Sequence, residues 1–201
     1  MIASIIFDLD GVLIDLCDIH KKVFQKALLI AAGISIEDKF HDESLNGLPT
    51  RVKLDKIGIV GRTAIDVANL KQELTVKELE NIQEDVELRE ILLDLSDGFD
   101  LYCASNSIRA TVEKVLTKLN IIDLFEAYYG NDDVFMAKPS PEMYLKCMVQ
   151  TPCMRTETLV IEDSLIGEET IKNAGCHGLI IKNRKELTFD RIMDRINEIE
   201  K

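Results

Sequence analysis

The 201-residue sequence predicts an α/β fold, a parallel sheet with helices on both faces, broken by one all-helical insert. Three observations predict it. Short apolar runs alternate with amphipathic segments of helical period. That alternation stops between Leu16 and Ser96, where helical patterns follow one another without a strand. After it resumes, each apolar run delivers acids, a hydroxyl or a lysine at its carboxyl end.

The first strand is "SIIF", Ser4 to Phe7, a short run that reads as buried. The insert opens with a helix whose stripe is His20, Val23, Phe24, Ala27 and Ala31. Further on, "TVKE" (Thr75 to Glu78) matches a capping box and predicts the start of a long acidic helix. The charge-dense "KELENIQEDVELRE" reads as its solvated face. The expected division is a core of residues 1–15 and 97–201 and an insert of residues 16–96. The second strand is "FDLYCA", Phe99 to Ala104, and Ile108, Val112, Val115, Leu116 and Leu119 then mark one face of a helix. "AYY", Ala127 to Tyr129, is the shortest strand. Pro141 stands at a first helical position with Ser140 as cap, ahead of "EMYLKCMV". "TLVI" (Thr158 to Ile161) and "HGLII" (His177 to Ile181) are the last strands, and Gly175 closes the helix between them. Strand, helix, strand in this order implies parallel pairing. Met136, Met143, Met148 and Met154 read as core filler, and His41 and His177 as structural or exposed.

Composition bounds the function. The chain is 46% hydrophobic, enough to bury one good core with a small appended module. Its net charge is -12, which repels rather than steers nucleic acid or an anionic membrane. A phosphorylated small molecule stays possible where positive charge is local. Five scattered cysteines, without a C-x-x-C, read as free thiols in a reducing compartment rather than as disulfides or a zinc site. "MIASIIFDLD" has no basic start and meets an aspartate by position 8, unlike a signal peptide, and no apolar run is long enough to span a bilayer. A soluble cytoplasmic protein is expected, as a monomer or weak homodimer.

In an open parallel sheet, working residues lie just past the carboxyl ends of the strands. The first strand is followed by Asp8, Leu9, Asp10 and Gly11, with Asp15 close behind. The second is followed by Ser105, Asn106 and Ser107. Lys138 precedes the "SPEMY" helix, and Glu162, Asp163 and Ser164 follow "TLVI". Carboxylates this dense repel one another unless something positive sits among them. Asp8, Asp10, Glu162 and Asp163 make an oxygen-rich pocket suited to a hard divalent cation, most simply Mg2+. Lys138 supplies a fixed positive charge, and the Ser105 hydroxyl with nearby backbone N–H groups can hold phosphate oxygens. Each piece alone has an ordinary reading as a turn, a helix cap or a surface lysine. Their coincidence at four successive strand ends does not.

These residues, in this order, resemble the haloacid dehalogenase superfamily of phosphotransferases. "DLDGVLID" matches its first motif, the serine of "CASNS" its second, the lysine of "AKPSPEMY" its third and "VIEDS" its fourth. The helical insert after the first motif is similar to the subgroup with a small α-helical cap, which includes phosphoglycolate phosphatase, sugar-phosphate phosphatases and β-phosphoglucomutase. The resemblance implies a Rossmann-like core. It implies Asp8 as nucleophile, forming an aspartyl-phosphate, and Asp10 as general acid and then base. It implies magnesium held by Asp8, Asp163 and the backbone carbonyl of Asp10, with Glu162 behind them or as an alternate partner. Lys138 neutralises Asp8 and phosphate. Ser105 and Asn106 meet the substrate. His20, on the first cap helix, and Arg51, in "LNGLPTR", match cap positions that contact substrate in the β-phosphoglucomutase-like subgroup.

The implied activity is magnesium-dependent hydrolysis of a small phosphorylated metabolite: a sugar phosphate, a phosphoglycolate-like acid or a nucleoside monophosphate. The alternatives are a phosphosugar mutase and a non-catalytic binding or regulatory protein on the same fold. "CASNSIRA" has no lysine where mutases carry one, and Leu16 stands where they favour threonine, which points to hydrolysis. Dehalogenases lack the second aspartate of the first motif, and Asp10 is present. Asp8, Asp10, Lys138 and Asp163 are all intact, which argues against a non-catalytic protein.

Overall fold

A computed structural model describes residues 1–150 and 153–201. Among the described residues the chain forms two compact units. The first comprises Met1–Asp15 and Gln83–Lys201, the second Leu16–Ile82.

The first unit carries a five-stranded, wholly parallel sheet in the order β3-β2-β1-β4-β5. The strands are β1 (Ser4–Phe7), β2 (Asp100–Ala104), β3 (Ala127–Tyr129), β4 (Thr158–Glu162) and β5 (His177–Ile180). β1 is central, and all four of its residues are buried. That is why its sequence runs apolar without alternation. Its register pairs Phe7 with Cys103 on one side and Ile161 on the other. The ladder continues one step further, because the Asp8 amide donates to the Ile161 carbonyl at 3.0 Å. Likewise the Ser105 amide donates to the Tyr129 carbonyl at 3.0 Å. Asp8 and Ser105 are thereby fixed at the carboxyl edge of the sheet by backbone hydrogen bonds.

Helices α7 (Glu142–Gln150) and α8 (Leu165–Ala174) supply Met143, Tyr144, Cys147, Met148, Ile171 and Ala174 to a core built on Ile6, Tyr102 and Val160. α6 (Arg109–Lys118) packs beside β3, and its buried face is Thr111, Val112, Val115 and Leu116. The Pro141 carbonyl accepts from the Leu145 amide at 3.0 Å, and the Ser140 hydroxyl from the Glu142 amide at 3.4 Å, so the start of α7 is the one its sequence implies. Met143 and Met148 are core residues, whereas Met136 and Met154 are exposed, contrary to the reading of all four as filler.

The second unit holds α1 (Cys17–Ala32), α2 (Asp38–Ser44), α3 (Thr50–Lys56) and α4 (Gly61–Leu79). It has its own core of Phe24, Ala27, Leu28, Leu45, Leu54, Ile59 and Val67. His41, expected to be structural or exposed, is buried here.

Two expectations need correction. Thr75 does not start a helix. It lies buried inside α4, and its hydroxyl donates back to the Lys71 carbonyl at 2.8 Å. The pattern of a threonine three residues before a glutamate arises inside helices as well as at their starts, because a mid-helix threonine satisfies its hydroxyl on the preceding turn. The insert, expected to end at residue 96, ends as a compact unit at Ile82. α5 (Val86–Ser96) belongs to the sheet unit, packed on β2 and on the C-terminal helix α9 (Phe189–Ile199). Both ends of that assignment are stapled. Asp85 caps α5 by accepting from the Leu88 amide and pairs with Arg184 at 3.1 Å, and Arg89 forks onto Asp123 at 2.8 Å.

Candidate active site

Asp8, Lys138 and Glu162 form the buried centre of the site. Asp8 is 8% exposed, Lys138 5% and Glu162 1%. The Lys138 Nζ donates to Asp8 Oδ1 at 2.6 Å and also to Glu162 Oε1. Tyr144 donates its hydroxyl to the same Glu162 oxygen at 2.5 Å, and its ring lies 5.0 Å from the Lys138 Nζ. One ammonium thus bridges two carboxylates from the ends of β1 and β4. Desolvation disfavours every charge in such a place, and pairing opposes that cost.

Local sequence positions each member. Lys138 is gripped by Asn106, whose Oδ1 accepts from the Lys138 amide at 3.0 Å and whose Nδ2 donates to its carbonyl at 3.4 Å. Asn131 in turn donates to the Asn106 carbonyl. The Ser105 hydroxyl, buried, accepts from the Ser107 amide at 3.0 Å and closes the turn after β2. Glu162 has room because residue 167 is glycine: a Cβ there would stand 2.1 Å from the Glu162 carboxyl carbon. Gly11 plays the same part for Asp163. Its φ of +89° suits glycine, and a Cβ would stand 1.9 Å from Asp163 Oδ2. Ser164 caps α8 by accepting from the Gly167 amide at 3.0 Å, which sets the direction in which the chain leaves Asp163.

Oxygens of Asp8, Glu162 and Asp163 lie within 4.8 Å of one another. Their electrostatics describe a site short of positive charge. Burial, then Glu162, push the Asp8 carboxyl well above its ordinary pKa, and Lys138 opposes them. Burial, Glu162 and Asp10 push Asp163 up to about 7. Burial alone would draw the Lys138 ammonium down, but Asp8 and Glu162 hold it well above its ordinary value. Its neighbours therefore favour the charged lysine, and one such charge does not balance the carboxylates around it. A hard divalent cation fits this donor set of carboxylate oxygens.

The sequence-predicted set in the sheet unit converges: Asp8, Ser105, Asn106, Lys138, Glu162 and Asp163 meet at the carboxyl edge. Asp10 is half-buried, and its charge is felt at Asp163. Asn106, expected to meet substrate, holds the Lys138 backbone. His20 and Arg51 belong to the helical unit. His20 is half-buried on α1, its pKa held well below the ordinary value by burial and by Lys71 and Lys53. Arg51 is exposed on α3. Tyr144, Gly167 and Asn131 were not singled out from the sequence. Tyr144 carries no signal there beyond a helical apolar stripe, and Gly167 reads as a mid-helix glycine.

The family model of the haloacid dehalogenase-like hydrolases matches residues 5–181. The chain belongs to this family. Its β-phosphoglucomutase relative in Bacillus subtilis is 30% identical over 185 residues, 86% of this chain and 80% of that protein. The fructose-1-phosphate phosphatase of Escherichia coli is 25% identical over 183 residues, 90% of this chain and 96% of that one. The crystal structure of a β-phosphoglucomutase from Clostridium difficile superposes with a TM-score of 0.85 at 25% identity and covers 98% of each chain. As a haloacid dehalogenase-like hydrolase the protein is an enzyme, a phosphoric monoester hydrolase.

Proposed function

We propose that this hydrolase is a magnesium-dependent phosphatase of a small sugar phosphate, working through an aspartyl-phosphate on Asp8. The single observation that carries the reading is the Asp8–Lys138 pair at 2.6 Å, at the carboxyl end of the central strand. The lysine lowers the Asp8 pKa against the burial and Glu162 that raise it, and so favours the nucleophilic carboxylate in a buried place.

In the first step an Asp8 oxygen bonds to phosphorus as the ester oxygen leaves, taking a proton from Asp10. Asp10, now a carboxylate, removes a proton from water, whose oxygen displaces Asp8 from phosphorus and releases inorganic phosphate. Lys138 holds positive charge against Asp8 and the phosphoryl oxygens through both steps. Asp8, Asp163 and the Asp10 carbonyl would hold magnesium, which supplies charge neutralisation of the phosphoryl group when bound. Glu162 and Tyr144 position the lysine, and Ser105 and nearby amides receive phosphate oxygens. The relatives acting on fructose 1-phosphate and on phosphorylated carbohydrates support the sugar-phosphate class. Arg51 and His20 in the helical cap meet the part of the substrate remote from phosphorus. The net charge of -12 disfavours nucleic acid and anionic membrane as partners, and the free cysteines favour a reducing compartment, the cytoplasm; the chain is taken as a monomer or weak homodimer. Among the described residues no helix is long and apolar enough to cross a membrane.

Asp8→Asn tests the reading. The amide keeps the shape and cannot form the acyl-phosphate, so turnover of a phosphorylated sugar should fall by roughly 10³-fold or more, with circular dichroism unchanged. A variant that keeps substantial magnesium-dependent activity would remove Asp8 from the role.

The likeness to two β-phosphoglucomutases favours one second reading, phosphoryl transfer between sugar hydroxyls. Phosphorus NMR separates the two. A mutase converts a sugar 1-phosphate to its 6-phosphate without releasing inorganic phosphate, and a phosphatase releases it stoichiometrically.

A further inference from the structure

Each of the four helices of the second unit brings a basic side chain to its Phe24 core. The Lys53 ammonium, on α3, is central to them. Lys53 is 7% exposed, and its Nζ lies 5.4 Å from the centre of the Phe24 ring on α1. It donates to His41 Nε2, on α2, at 3.2 Å. His41 is itself oriented. Its Nδ1 stands 3.4 Å from Asp42 Oδ1, and Asp42 Oδ2 accepts from the Lys21 Nζ at 3.0 Å. An aromatic ring and an imidazole that accepts thus hold the Lys53 ammonium in place without neutralising it. His20 and Phe24 are one turn apart on α1, so His20 shares the face that Lys53 covers. Val67, on α4, belongs to the same cluster as Phe24, and Lys71 follows Val67 by one turn on that face. His20 feels both ammoniums: after burial, Lys71 and Lys53 are what lower its pKa. A chain of net charge -12 therefore concentrates positive charge inside this unit.

We propose that Lys53, Lys71 and His20 form an oxyanion-binding site in the helical unit, and that it takes a second anionic group of the substrate, a carboxylate or phosphate remote from the ester that is cut. The identity of the ligand rests on the phosphatase reading, which the site narrows from sugar phosphates at large to those that carry a second charge. An ammonium fixed by its own neighbours meets an oxyanion with little rearrangement, and a hydrogen bond between two charged groups is about twice as strong as one between neutral groups. Burial adds to this, because charges attract more strongly away from water. A neutral sugar hydroxyl in the same place gains only an ordinary hydrogen bond, so the site sorts substrates by charge. The Asp42–His41 pair acts through Lys53: it aims Nε2 at the ammonium and so sets where the charge sits. Lys53 faces inward on the helix that carries Arg51 on its exposed side.

The test compares matched esters on the full chain: fructose 1-phosphate against fructose 1,6-bisphosphate, and glucose 6-phosphate against 6-phosphogluconate. In at least one pair the member with the second charge should have a kcat/KM about 10-fold higher or more, and the pair that shows the gain names the group as phosphate or carboxylate. Lys53→Met keeps an apolar stem over Phe24 and loses the charge, so it should remove most of that preference. A merely structural lysine would change stability and leave the ratio alone. Lys71→Met repeats the comparison if Lys53→Met folds poorly. A second measurement needs no turnover. Titration with sulfate, followed by NMR of the three histidine rings, should shift the His20 signal to saturation in the parent and require about 10-fold more sulfate in the lysine variant. Parental ratios in the lysine variants, a parent indifferent to the second charge in both pairs, or a His20 signal that sulfate does not move would each overturn the proposal. Release of phosphate from none of the four esters would count against the phosphatase reading instead, and the sulfate titration would still decide the site.

Discussion

Lys138 is one ammonium held between two buried carboxylates, and that balance is fragile in one direction. Removing it leaves Asp8 and Glu162 facing each other without compensation. Breaking a buried pair in this way costs about 3–5 kcal/mol. The pH dependence follows from Asp8, whose pKa burial and Glu162 already raise and Lys138 lowers. Without the lysine it rises further. An acid whose folded pKa lies above its unfolded value of about 3.9 favours the fold only while protonated, and stability drains away as pH climbs through that window. Lys138→Ala should therefore be inactive and lose more stability at pH 8 than at pH 5, by urea denaturation of variant and parent at both values. An equal loss at both would mean that Asp8 does not feel the lysine. Gly167→Ala makes a milder case. Its Cβ must displace the Glu162 carboxylate from beneath Lys138, so kcat should fall about 10-fold or more while α8, which gains an alanine, stays folded. The acids and the lysine were legible in the sequence because they recur at strand ends, where chemistry collects. Tyr144 and Gly167 were not, because their roles exist only in the contact with Glu162, which is remote from both in pattern.

At the scale of elements, β1, β2 and β4 stood out as apolar runs, since a strand inside a parallel sheet is buried on both faces, whereas the edge strand β3 is largely half-buried and left the weakest run. The allegiance of α5 did not stand out. An amphipathic stripe says that a helix is covered, not by which unit. The buried α5 face of Leu88, Ile91, Leu92 and Leu95 packs with β2 and α9, and the ion pairs Asp85–Arg184 and Arg89–Asp123 join it to the same unit, with partners that lie far along the chain. The helical unit hides a second such feature. The Lys53 ammonium can only donate, so His41 Nε2 accepts from it at 3.2 Å and the ring proton sits on Nδ1, 3.4 Å from Asp42 Oδ1. Burial and Lys53 hold the His41 pKa below its ordinary value, Asp42 opposes them, and His20 is shifted the same way by burial, Lys71 and Lys53. A base with a depressed folded pKa favours the fold while neutral. That contribution is complete above about pH 6.5 and is lost as pH falls through the folded value. The helical unit should consequently melt earlier at pH 5.5 than at pH 7.5, followed by far-ultraviolet circular dichroism. His41→Gln, which still accepts from Lys53 but does not titrate, should weaken that dependence and leave the share that belongs to His20. A variant as acid-sensitive as the parent would move the effect elsewhere.

For the whole molecule, the division of cores has a kinetic consequence. Asp8, Asp10, Ser105, Lys138, Glu162 and Asp163 all belong to the sheet unit, and the helical unit is held together by its own cluster around Phe24, which is fully buried. Phe24→Ala removes a ring from that cluster and should cost about 3–5 kcal/mol, charged to the helical unit alone. Chemistry on a small aryl phosphate draws only on the sheet unit's residues and should survive in large part. If the proposed role of Arg51 and His20 holds, kcat/KM for a sugar phosphate should collapse. Arg51→Ala refines the same comparison without disturbing the fold, because Arg51 is exposed on α3. Loss of a charge-assisted hydrogen bond of roughly 1.5–3 kcal/mol lowers kcat/KM for the sugar phosphate about 10- to 150-fold and leaves the aryl phosphate unchanged. The ratio of the two substrates' kcat/KM values is the measurement. If Phe24→Ala and Arg51→Ala both left that ratio at its parental value, specificity would have to be sought within the sheet unit, on the loops that carry Ser105 and Lys138.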